Sequence, residues 1–390
     1  MSQTPLRLLY VQPCTNFGGA ERQASTSAPR LARFGFDVTP LVGPGGAIID
    51  WLRENGVTDI IHIDSFPGNW PKPRGLSRLG LPSRYYRCLQ QVSAAIRQAA
   101  VERRTQIIYA AMPFSWVAAT PVARELGIPI VWRAGGCEAS VAAKLALRAW
   151  TLRNAPDLLV CCGEKVQETF GPLVHAPSVV VHNGVDTQMF FPHAGDAGRY
   201  RPPGAKVVVG FAARLVEQKR PDDVIKMAAR IAPDHPEVAF LVAGEGSRRP
   251  EYESLAHSLG VAHAVTFLGY VADMRAFYAA CDIIVLPSRS EGCPNVVLES
   301  MAMRRAVVVS DAAGTQEVVA HEREGLIFPV SDITAFAASV RRLVEDPVLR
   351  AALMNQGYFR VTSAFNARTR ARRLANVLRR SVARSVEPIG

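Results

Sequence analysis

The sequence predicts an α/β protein built from two successive, doubly wound parallel sheets. Three observations predict this class. Short apolar runs alternate with longer helical patterns, these runs are continuously apolar rather than alternating, and the whole pattern restarts once along the chain. The length of 390 residues also exceeds the ~250 to 300 residues at which a single core usually stops growing. Two domains are therefore expected.

The first half contains the strands of one sheet, each bounded by turn residues, with helical patterns such as ERQASTSAPRLARFG between them. The expected strands are LRLLYVQ, DVTPLV, IIHID, QIIYAA, IPIVWR and DLLVCC. The pattern restarts after VVVHNGVDTQMFFP, which places the boundary near residues 183 to 200. We assign residues 1–185 to the first domain and residues 186–365 to the second.

The second half repeats the arrangement, and its expected strands are KVVVGFAA, VAFLVAG, AVTFLG, CDIIVLPS, AVVVSD and GLIFP. Ligands of such sheets bind beyond the carboxyl ends of the strands. The loops that follow YVQP, GFAA, LVAG and VLPS should therefore converge on a site.

The final segment, residues 366–390, is predicted to be a basic helix that packs back on the first domain. Leu374, Val377, Leu378 and Val382 recur at spacings near three and four residues. This apolar stripe should pack, and the arginines should face water.

Composition indicates a folded protein, because hydrophobic residues make up 48% of the chain. No apolar run approaches the ~18 residues of a membrane-spanning helix, and the opening segment has too short an apolar core for a signal peptide. A cytoplasmic location is therefore expected. The seven cysteines include no CxxC pair, so reduced, mostly buried thiols are expected.

The net charge of +11 is concentrated in particular stretches. Between residues 70 and 104 one acid, Glu102, faces the cations Lys72, Arg74, Arg78, Arg84, Arg87, Arg97, Arg103 and Arg104. A second basic cluster follows in KLALRAWTLRN. Nucleic acid, an anionic membrane surface and water are the candidate surroundings. We expect no nucleic-acid partner. Solvated surface and a membrane-facing or acidic-substrate role both stay open, and the Arg, Leu, Trp and Tyr content of residues 70–104 suggests peripheral contact with an anionic membrane.

The stretch SEGCPNVVLESMAM contains the start of a predicted helix. Pro294 suits its first position, because proline lacks the N–H that would be unpaired there. The next amides, of Asn295, Val296 and Val297, and the positive end of the helix dipole form an anion site. Gly292 lets the backbone approach a ligand closely.

Two carboxylates flank this anion site. Glu291 precedes the helix, and Glu299 lies four residues after Asn295 on the same helix face. Carboxylates accept hydrogen bonds from vicinal hydroxyls, so the spacing suits a nucleotide that carries a sugar. Two glutamates eight residues apart also occur by chance, and the context favours function.

Positive charge for a diphosphate is supplied by GFAARLVEQKRPDDV, directly after a predicted strand. Arg214 and Lys219 bracket the turn into a helix. Each alone could be structural, but both at a strand end favour function. Arg220 is expected to face solvent.

The ordered motifs resemble the retaining GT-B glycosyltransferases of family 4. The motifs are FGGAERQ, NGVDTQMFFP, ARLVEQK, VAGEGSRRPEYESLA, VTFLGYV, SRSEGCPNVVLESMA and GTQEVV. The match is dense from residue 205 to 330 and thinner in the first domain. The resemblance implies two Rossmann-like domains that face a central cleft, and transfer of a sugar from a nucleotide diphosphate sugar to an acceptor hydroxyl. The acceptor is expected to be a sugar or a lipid-linked saccharide, as in cell-surface polysaccharide or glycolipid synthesis.

The resemblance also implies site roles. Arg214 and Lys219 stabilise the departing diphosphate, Glu291 holds the hydroxyls of the donor sugar, and Glu299 binds the ribose. The backbone of the donor cradle is supplied by Gly18, Gly19, Gly246, Gly292, Cys293, Pro294, Asn295 and Val296. Gly246 follows a strand in GEGSRR, but the third glycine of a dinucleotide fingerprint is missing, so a dehydrogenase is not expected.

Two departures bear on the mechanism. No D-x-D triplet occurs, which fits catalysis without a metal or other cofactor, with arginine, lysine and a helix dipole as leaving-group stabilisers. Relatives often carry a histidine where this chain has Met112 or Gly135, and Arg133 and Glu138 are the nearest polar candidates to replace it. A scaffold protein with little turnover and a GT-B nucleotide-sugar epimerase remain alternatives.

Overall fold

The structure, a computed structural model, describes residues 4–12, 26–43, 46–64, 81–137 and 139–386. The chain forms two compact units. The first combines Met1–His182 with Arg368–Gly390, and the second is Asn183–Ala367. The corresponding boundaries predicted from the sequence are 185/186 and 365/366.

The first unit contains a seven-stranded sheet in the order β3-β2-β1-β4-β5-β6-β7, with every pairing parallel. Its strands are β1 (Leu6–Gln12), β2 (Phe36–Val42), β3 (Ile61–His62), β4 (Ile107–Ala111), β5 (Ile130–Ala134), β6 (Leu158–Cys161) and β7 (Ser178–Val180). The strand order reverses between β1 and β4. In a doubly wound sheet, such a reversal opens a crevice at the carboxyl ends of the strands.

Helices connect these strands and cover the sheet. They are α1 (Ser27–Ala32), α2 (Gly46–Glu54), α3 (Leu81–Glu102), α4 (Pro113–Leu126), α5 (Val141–Asn154) and α6 (Glu164–Phe170). Pro113 and Gly127 show why α4 starts and stops where it does. Proline suits the first helical turn, and Gly127 adopts the left-handed conformation (φ 65°) that closes a helix.

The C-terminal helix, Ala367–Val386, belongs largely to the first unit. Leu374 and Leu378 are fully buried in the core that also contains Leu8, Tyr109 and Val131. Val377 and Val382 pack against the same core, as the apolar spacing predicts. The expectation that the arginines face water is wrong at Arg370. This side chain is 6% exposed and donates to Ser27 Oγ at 2.6 Å, because it lies four residues before Leu374 on the buried face.

The second unit contains a six-stranded parallel sheet in the order β10-β9-β8-β11-β12-β13. Its strands are β8 (Val207–Ala212), β9 (Val238–Ala243), β10 (Val265–Gly269), β11 (Ile283–Leu286), β12 (Ala306–Ser310) and β13 (Leu326–Phe328). The order reverses between β8 and β11, so the carboxyl ends of these two strands are where a ligand is expected.

The helices of the second unit pack on this sheet around a core rich in aromatic side chains, among them Phe211, Phe240, Phe328 and Phe336. They are α7 (Pro221–Ile231), α8 (Arg249–Ser258), α9 (Met274–Ala280), α10 (Asn295–Ala302), α11 (Ala313–Gln316), α12 (Ile333–Glu345) and α13 (Pro347–Ala364), and the C-terminal helix is α14 (Ala367–Val386).

The α/β class predicted from the sequence is confirmed. Each of the predicted apolar runs contains a strand, because buried parallel strands require continuous apolar sequence. The short strand β7 was not among the strands predicted from the sequence, and it lies just before the predicted boundary near residues 183 to 200. Among the described residues, no helix is both long and apolar enough to cross a membrane.

Candidate active site

The predicted site residues of the second unit follow the two strands that flank its strand-order reversal. Arg214 and Lys219 come after β8, and Glu291 comes after β11. Since β8 and β11 are neighbouring parallel strands, both loops leave the same edge of the sheet. The topology therefore brings together residues that are far apart in sequence.

A short 3₁₀ turn, Glu217–Lys219, is fixed onto the loop after β11. The amide of Arg289 donates to the carbonyl of Gln218 at 2.9 Å, and the Gln218 side chain donates to the carbonyl of Ser290 at 3.1 Å. Arg289 also pairs with Glu217 at 2.8 Å. These contacts set the position of Lys219, the last residue of the turn.

Lys219 and Glu291 form an ion pair. Lys219 Nζ lies 2.5 Å from Glu291 Oε1, and the two side chains are only 18% and 9% exposed. A half-buried cation beside a carboxylate offers both partners that a sugar phosphate needs. The ammonium attracts phosphate oxygens, and the carboxylate accepts from hydroxyls.

Arg214 lies at the entrance of the same loop and is exposed. Among the described residues, the structure records no side-chain hydrogen bond or ion pair for it. Its backbone carbonyl accepts from the amide of Val216 at 2.9 Å. Arg214 is thus held by its backbone, while its guanidinium is available for an anion.

Arg220 differs from the expectation. It was predicted to face solvent, but its side chain is 12% exposed and pairs with the buried Asp223, with Nη2 2.8 Å from Oδ1. The hydrogen bond to Asp223 raises the pKa of the Arg220 guanidinium. The cause is its position. Arg220 caps α7 in a left-handed conformation (φ 51°), and Asp223 lies in the first turn of that helix. Arg220 is therefore a structural cation.

Helix α10 begins one residue later than predicted. Pro294 is the residue before the helix, with φ −74° and ψ 112°, and its carbonyl accepts from the amide of Leu298 at 3.3 Å. The missing N–H of proline explains why it is equally suited to this capping position. The first-turn amides of α10 have no carbonyl acceptor within the helix, so the anion-binding character of its start is retained.

Asn183 holds the segment in front of α10 and was not singled out from the sequence. Its side chain is buried and donates from Nδ2 to the carbonyl of Cys293 at 2.9 Å. This bond fixes the loop that carries Glu291 to the start of the helix. The motif NGVDTQMFFP contained this residue, but nothing in its local sequence indicated a partner 110 positions away.

Glu299 is held by a second residue that sequence analysis missed. The hydroxyl of Tyr278, in α9, donates to Glu299 Oε2 at 2.7 Å. The Tyr278 ring is fully buried and packs edge-on against Phe190 at 6.1 Å. This buried donor fixes the direction of the Glu299 carboxylate.

Glycines allow the loops of the site to cross. A Cβ on Gly246 would lie 2.3 Å from the carbonyl oxygen of Leu215, and a Cβ on Gly314 would lie 2.3 Å from that of Glu291. Gly246 therefore lies against the loop after β8. Gly314, in the GTQEVV motif, packs against the backbone of Glu291 and Gly292. These glycines therefore let the loops of the site pack closely on one another.

Part of the predicted site lies in the first unit. Gly18, Gly19 and Glu138 lie outside the described residues. Arg133 is 5% exposed, and its Nη1 lies 2.8 Å from where a Cβ on Gly135 would be. The space next to the Gly135 backbone is thus occupied by a guanidinium.

Within the described ranges, no three or more His, Cys, Asp and Glu side chains are grouped so that they could hold a metal ion.

Comparison with known families gives two matches in succession. The model of glycosyltransferase family 4 matches residues 17–189, and the model of glycosyl transferases group 1 matches residues 197–360. The second match contains Arg214, Lys219, Glu291 and Glu299.

Individual proteins show the same relationship. The chain is 29% identical over 268 residues to a glycogen synthase of Mycobacterium tuberculosis, covering 67% of this chain and 62% of that protein. It is 32% identical over 173 residues to LpsE of Rhizobium meliloti, a lipopolysaccharide core biosynthesis glycosyltransferase, covering 44% of this chain and 50% of LpsE. The chain thus spans between half and two thirds of the length of these relatives.

The fold is shared with solved structures. HepE of Anabaena, solved in complex with UDP-glucose, superposes with a TM-score of 0.79 at 21% identity, over 96% of this chain and all of HepE. The successive family matches and the shared fold lead to one conclusion. The chain belongs to family 4 of the glycosyltransferases, also described as glycosyl transferases group 1, and has the GT-B fold.

Proposed function

We propose that this protein transfers a sugar from a nucleotide diphosphate sugar to an acceptor hydroxyl, with retention at the anomeric carbon and without a metal ion. One observation carries the proposal. Lys219 Nζ lies 2.5 Å from Glu291 Oε1 at the strand-order reversal of the second sheet. Glu291 belongs to the loop that leads directly into α10. A cation, a carboxylate and a helix start that follow neighbouring strands support a donor site at this edge of the sheet.

Each part of the donor has a proposed partner. The diphosphate lies against Lys219, Arg214 and the first-turn amides of α10, because all three are positive. Glu291 accepts from hydroxyls of the transferred sugar. Glu299 accepts hydrogen bonds from the ribose diol. Its Oε2 already accepts from the Tyr278 hydroxyl, but a carboxylate has lone pairs for about four hydrogen bonds.

The rate then comes from stabilising the charge that develops on the departing diphosphate. A preorganised donor to such charge typically contributes ~2.7 to 4 kcal/mol, or about 100- to 1000-fold in rate. Lys219 is preorganised in this sense, since the 3₁₀ turn that carries it is fixed to the Glu291 loop by the Arg289 and Gln218 contacts. The positive groups of the chain would take the part that a divalent metal plays in other sugar transferases.

The acceptor is proposed to be a sugar or a lipid-linked saccharide in cell-surface polysaccharide or glycolipid synthesis, in a cytoplasmic enzyme. The relationship to LpsE supports this class. The complex of HepE with UDP-glucose makes UDP-glucose the first donor to test.

A thermal-shift screen of the full chain against UDP-, GDP- and ADP-sugars tests donor binding. A ligand that binds only the folded state adds about 2.7 kcal/mol of stability at 100 times its Kd, which is measurable as a higher Tm. We expect one nucleotide series to raise the Tm. If no nucleotide sugar does so at millimolar concentration, the proposal is wrong.

The stabilising donor is then incubated with candidate acceptors, and the product is examined by NMR for its anomeric configuration. A glycoside of the same configuration as the donor supports retention, and an inverted one overturns that part. A scaffold protein would bind the donor without turnover. An epimerase would change the sugar of the donor in the absence of any acceptor.

A further inference from the structure

Helix α5 (Val141–Asn154) exposes three large apolar side chains on one face. Val141, Leu145 and Leu152 are 75%, 64% and 69% exposed. At 3.6 residues per turn, their positions fall within about 40° of one another around the helix axis. The small residues Ala142 and Ala149 are exposed beside them. An apolar stripe of this kind, in contact with water, is unfavourable unless a partner covers it.

The opposite face of α5 is firmly anchored, so the outward direction of the stripe is fixed. Trp150 stacks on Trp132 of β5 at 5.7 Å, and Trp132 stacks on Trp116 of α4 at 4.9 Å. Thr151 is buried and donates to the carbonyl of Leu173 at 2.9 Å. The inner contacts of the helix are therefore satisfied without the exposed stripe.

Cations flank the apolar stripe on both sides. Lys144 and Arg148 lie on one side and Arg153 on the other, and the segment Val141–Asn154 contains no acidic residue. Within the described part of the chain, no ion pair is recorded for these three side chains. Arg148 donates to a backbone carbonyl, that of Pro172, at 3.2 Å. The described residues therefore place no recorded carboxylate partner against the cations of this face.

The basic stretch that first suggested membrane contact is different. In its described part, Arg97 pairs with Glu125 at 2.6 Å and Arg103 pairs with Asp59 at 2.7 Å. Residues 70–80 of that stretch lie outside the described residues. The outer face of α5 combines three exposed apolar side chains with three cations for which no ion pair is recorded in the described ranges.

We propose that the outer face of α5 binds the surface of an anionic lipid bilayer. Apolar side chains flanked by lysine and arginine are the composition of helices that lie in the membrane interface, where the side chains enter the acyl boundary and the cations contact lipid phosphates. Binding of this kind does not depend on sugar transfer. It would place the protein at a membrane whatever acceptor it uses.

Co-sedimentation of the full chain with vesicles tests the proposal. The vesicles are phosphatidylglycerol mixed with phosphatidylcholine, or phosphatidylcholine alone. We expect binding to the mixed vesicles that falls as salt rises. The double variant Leu145→Ser/Leu152→Ser should lower the partition coefficient by at least about tenfold. The variant Lys144→Gln/Arg153→Gln should also weaken binding and reduce its salt dependence.

The matched control is Val348→Ser/Phe359→Ser in α13, which removes apolar side chains that are 78% and 69% exposed elsewhere on the surface. This control should bind vesicles as the unchanged protein does. Equal loss in the control, or undiminished binding by the leucine variant, would overturn the proposal. Sedimentation velocity without lipid tests the alternative that a second copy of the chain, rather than a bilayer, binds this face. A dimer that the leucine variant converts to a monomer, with vesicle binding unchanged, would also overturn it.

Discussion

The carboxyl end of the second sheet holds Lys219, Glu291 and Glu299 in hydrogen-bonded pairs, whereas the described part of the carboxyl end of the first sheet is more open. In the second unit, Lys219 pairs with Glu291 and Tyr278 donates to Glu299. In the first unit, Met112 is 40% exposed, and a Cβ on Gly136 would meet nothing within 4 Å.

The difference is one of preorganisation. Side chains that are locked by hydrogen bonds and crossed loops hold a fixed geometry, which suits a ligand whose phosphates and sugar are always the same distance apart. Open loops on a rigid sheet tolerate changes in sequence and suit a partner that varies between relatives. On this basis we propose that the second unit binds the donor and that the first unit selects the acceptor. The predictions below test this contrast.

The largest effect is expected from Lys219→Ala. Loss of the ammonium that is proposed to stabilise the departing diphosphate should lower kcat about 100- to 1000-fold. Steady-state kinetics with the donor found by thermal shift measures the change. Arg214→Ala should give a loss in the same range without affecting stability, because the Arg214 side chain is exposed.

The control for Lys219 is Lys226→Ala. Lys226 also forms an ion pair, with Asp222 at 2.7 Å, but it lies on α7, away from the predicted site. Its removal should leave kcat unchanged. Full activity of both Lys219→Ala and Arg214→Ala with the true substrates would rule out the assigned roles.

The next largest effect is expected on stability, from adding a methyl group at Gly314. Gly314→Ala would place a Cβ 2.3 Å from the carbonyl oxygen of Glu291, so the Glu291 loop has to move. We expect a loss of about 1 to 3 kcal/mol of stability and weaker donor binding. Gly136→Ala, in the open loop of the first unit, should stay within about 0.5 kcal/mol. Thermal melting compares the two variants, and equal Tm values would contradict the proposed difference between the two edges.

A smaller effect is expected from Tyr278→Phe, which removes the hydroxyl that donates to Glu299. A hydrogen bond to a charged group contributes about 1.5 kcal/mol or somewhat more, so donor affinity should fall roughly tenfold. Titration calorimetry with the nucleotide alone isolates this step from chemistry. The control is Tyr252→Phe, a buried tyrosine of α8 for whose hydroxyl no hydrogen bond is recorded in the described ranges. An unchanged Kd for Tyr278→Phe would show that Tyr278 has no positioning role.

The smallest effect concerns how accessible two cysteine thiols are to an alkylating reagent. Cys137 is half-buried in the loop after β5, whereas Cys293 is 6% exposed in the loop before α10. Thiol alkylation of the native protein, followed by peptide mapping, should modify Cys137 roughly tenfold faster than Cys293, because Cys293 reacts only when its loop opens. Burial raises the pKa of Cys161 to about 12, so this thiol should resist modification at neutral pH. Faster labelling of Cys293 than of Cys137 would reverse the proposed contrast in rigidity.

The sequence by itself determined the fold class and the strands that form each sheet, and it predicted the stretches that carry the site. These properties are local, since continuous apolar runs specify buried parallel strands and a strand end specifies where a loop meets ligand. The apolar stripe of the C-terminal helix was predicted in the same way and is confirmed by Leu374 and Leu378.

Only the tertiary structure decided which side chains pair with one another. Lys219 meets Glu291 across 72 residues of sequence, and Asn183 meets Cys293 across 110. No local pattern encodes these pairings, because they depend on which strands become neighbours and on how closely their loops cross. The requirement for glycine at position 314 could not be predicted for the same reason. It arises only because the backbone of Glu291 packs against Gly314 in the folded protein.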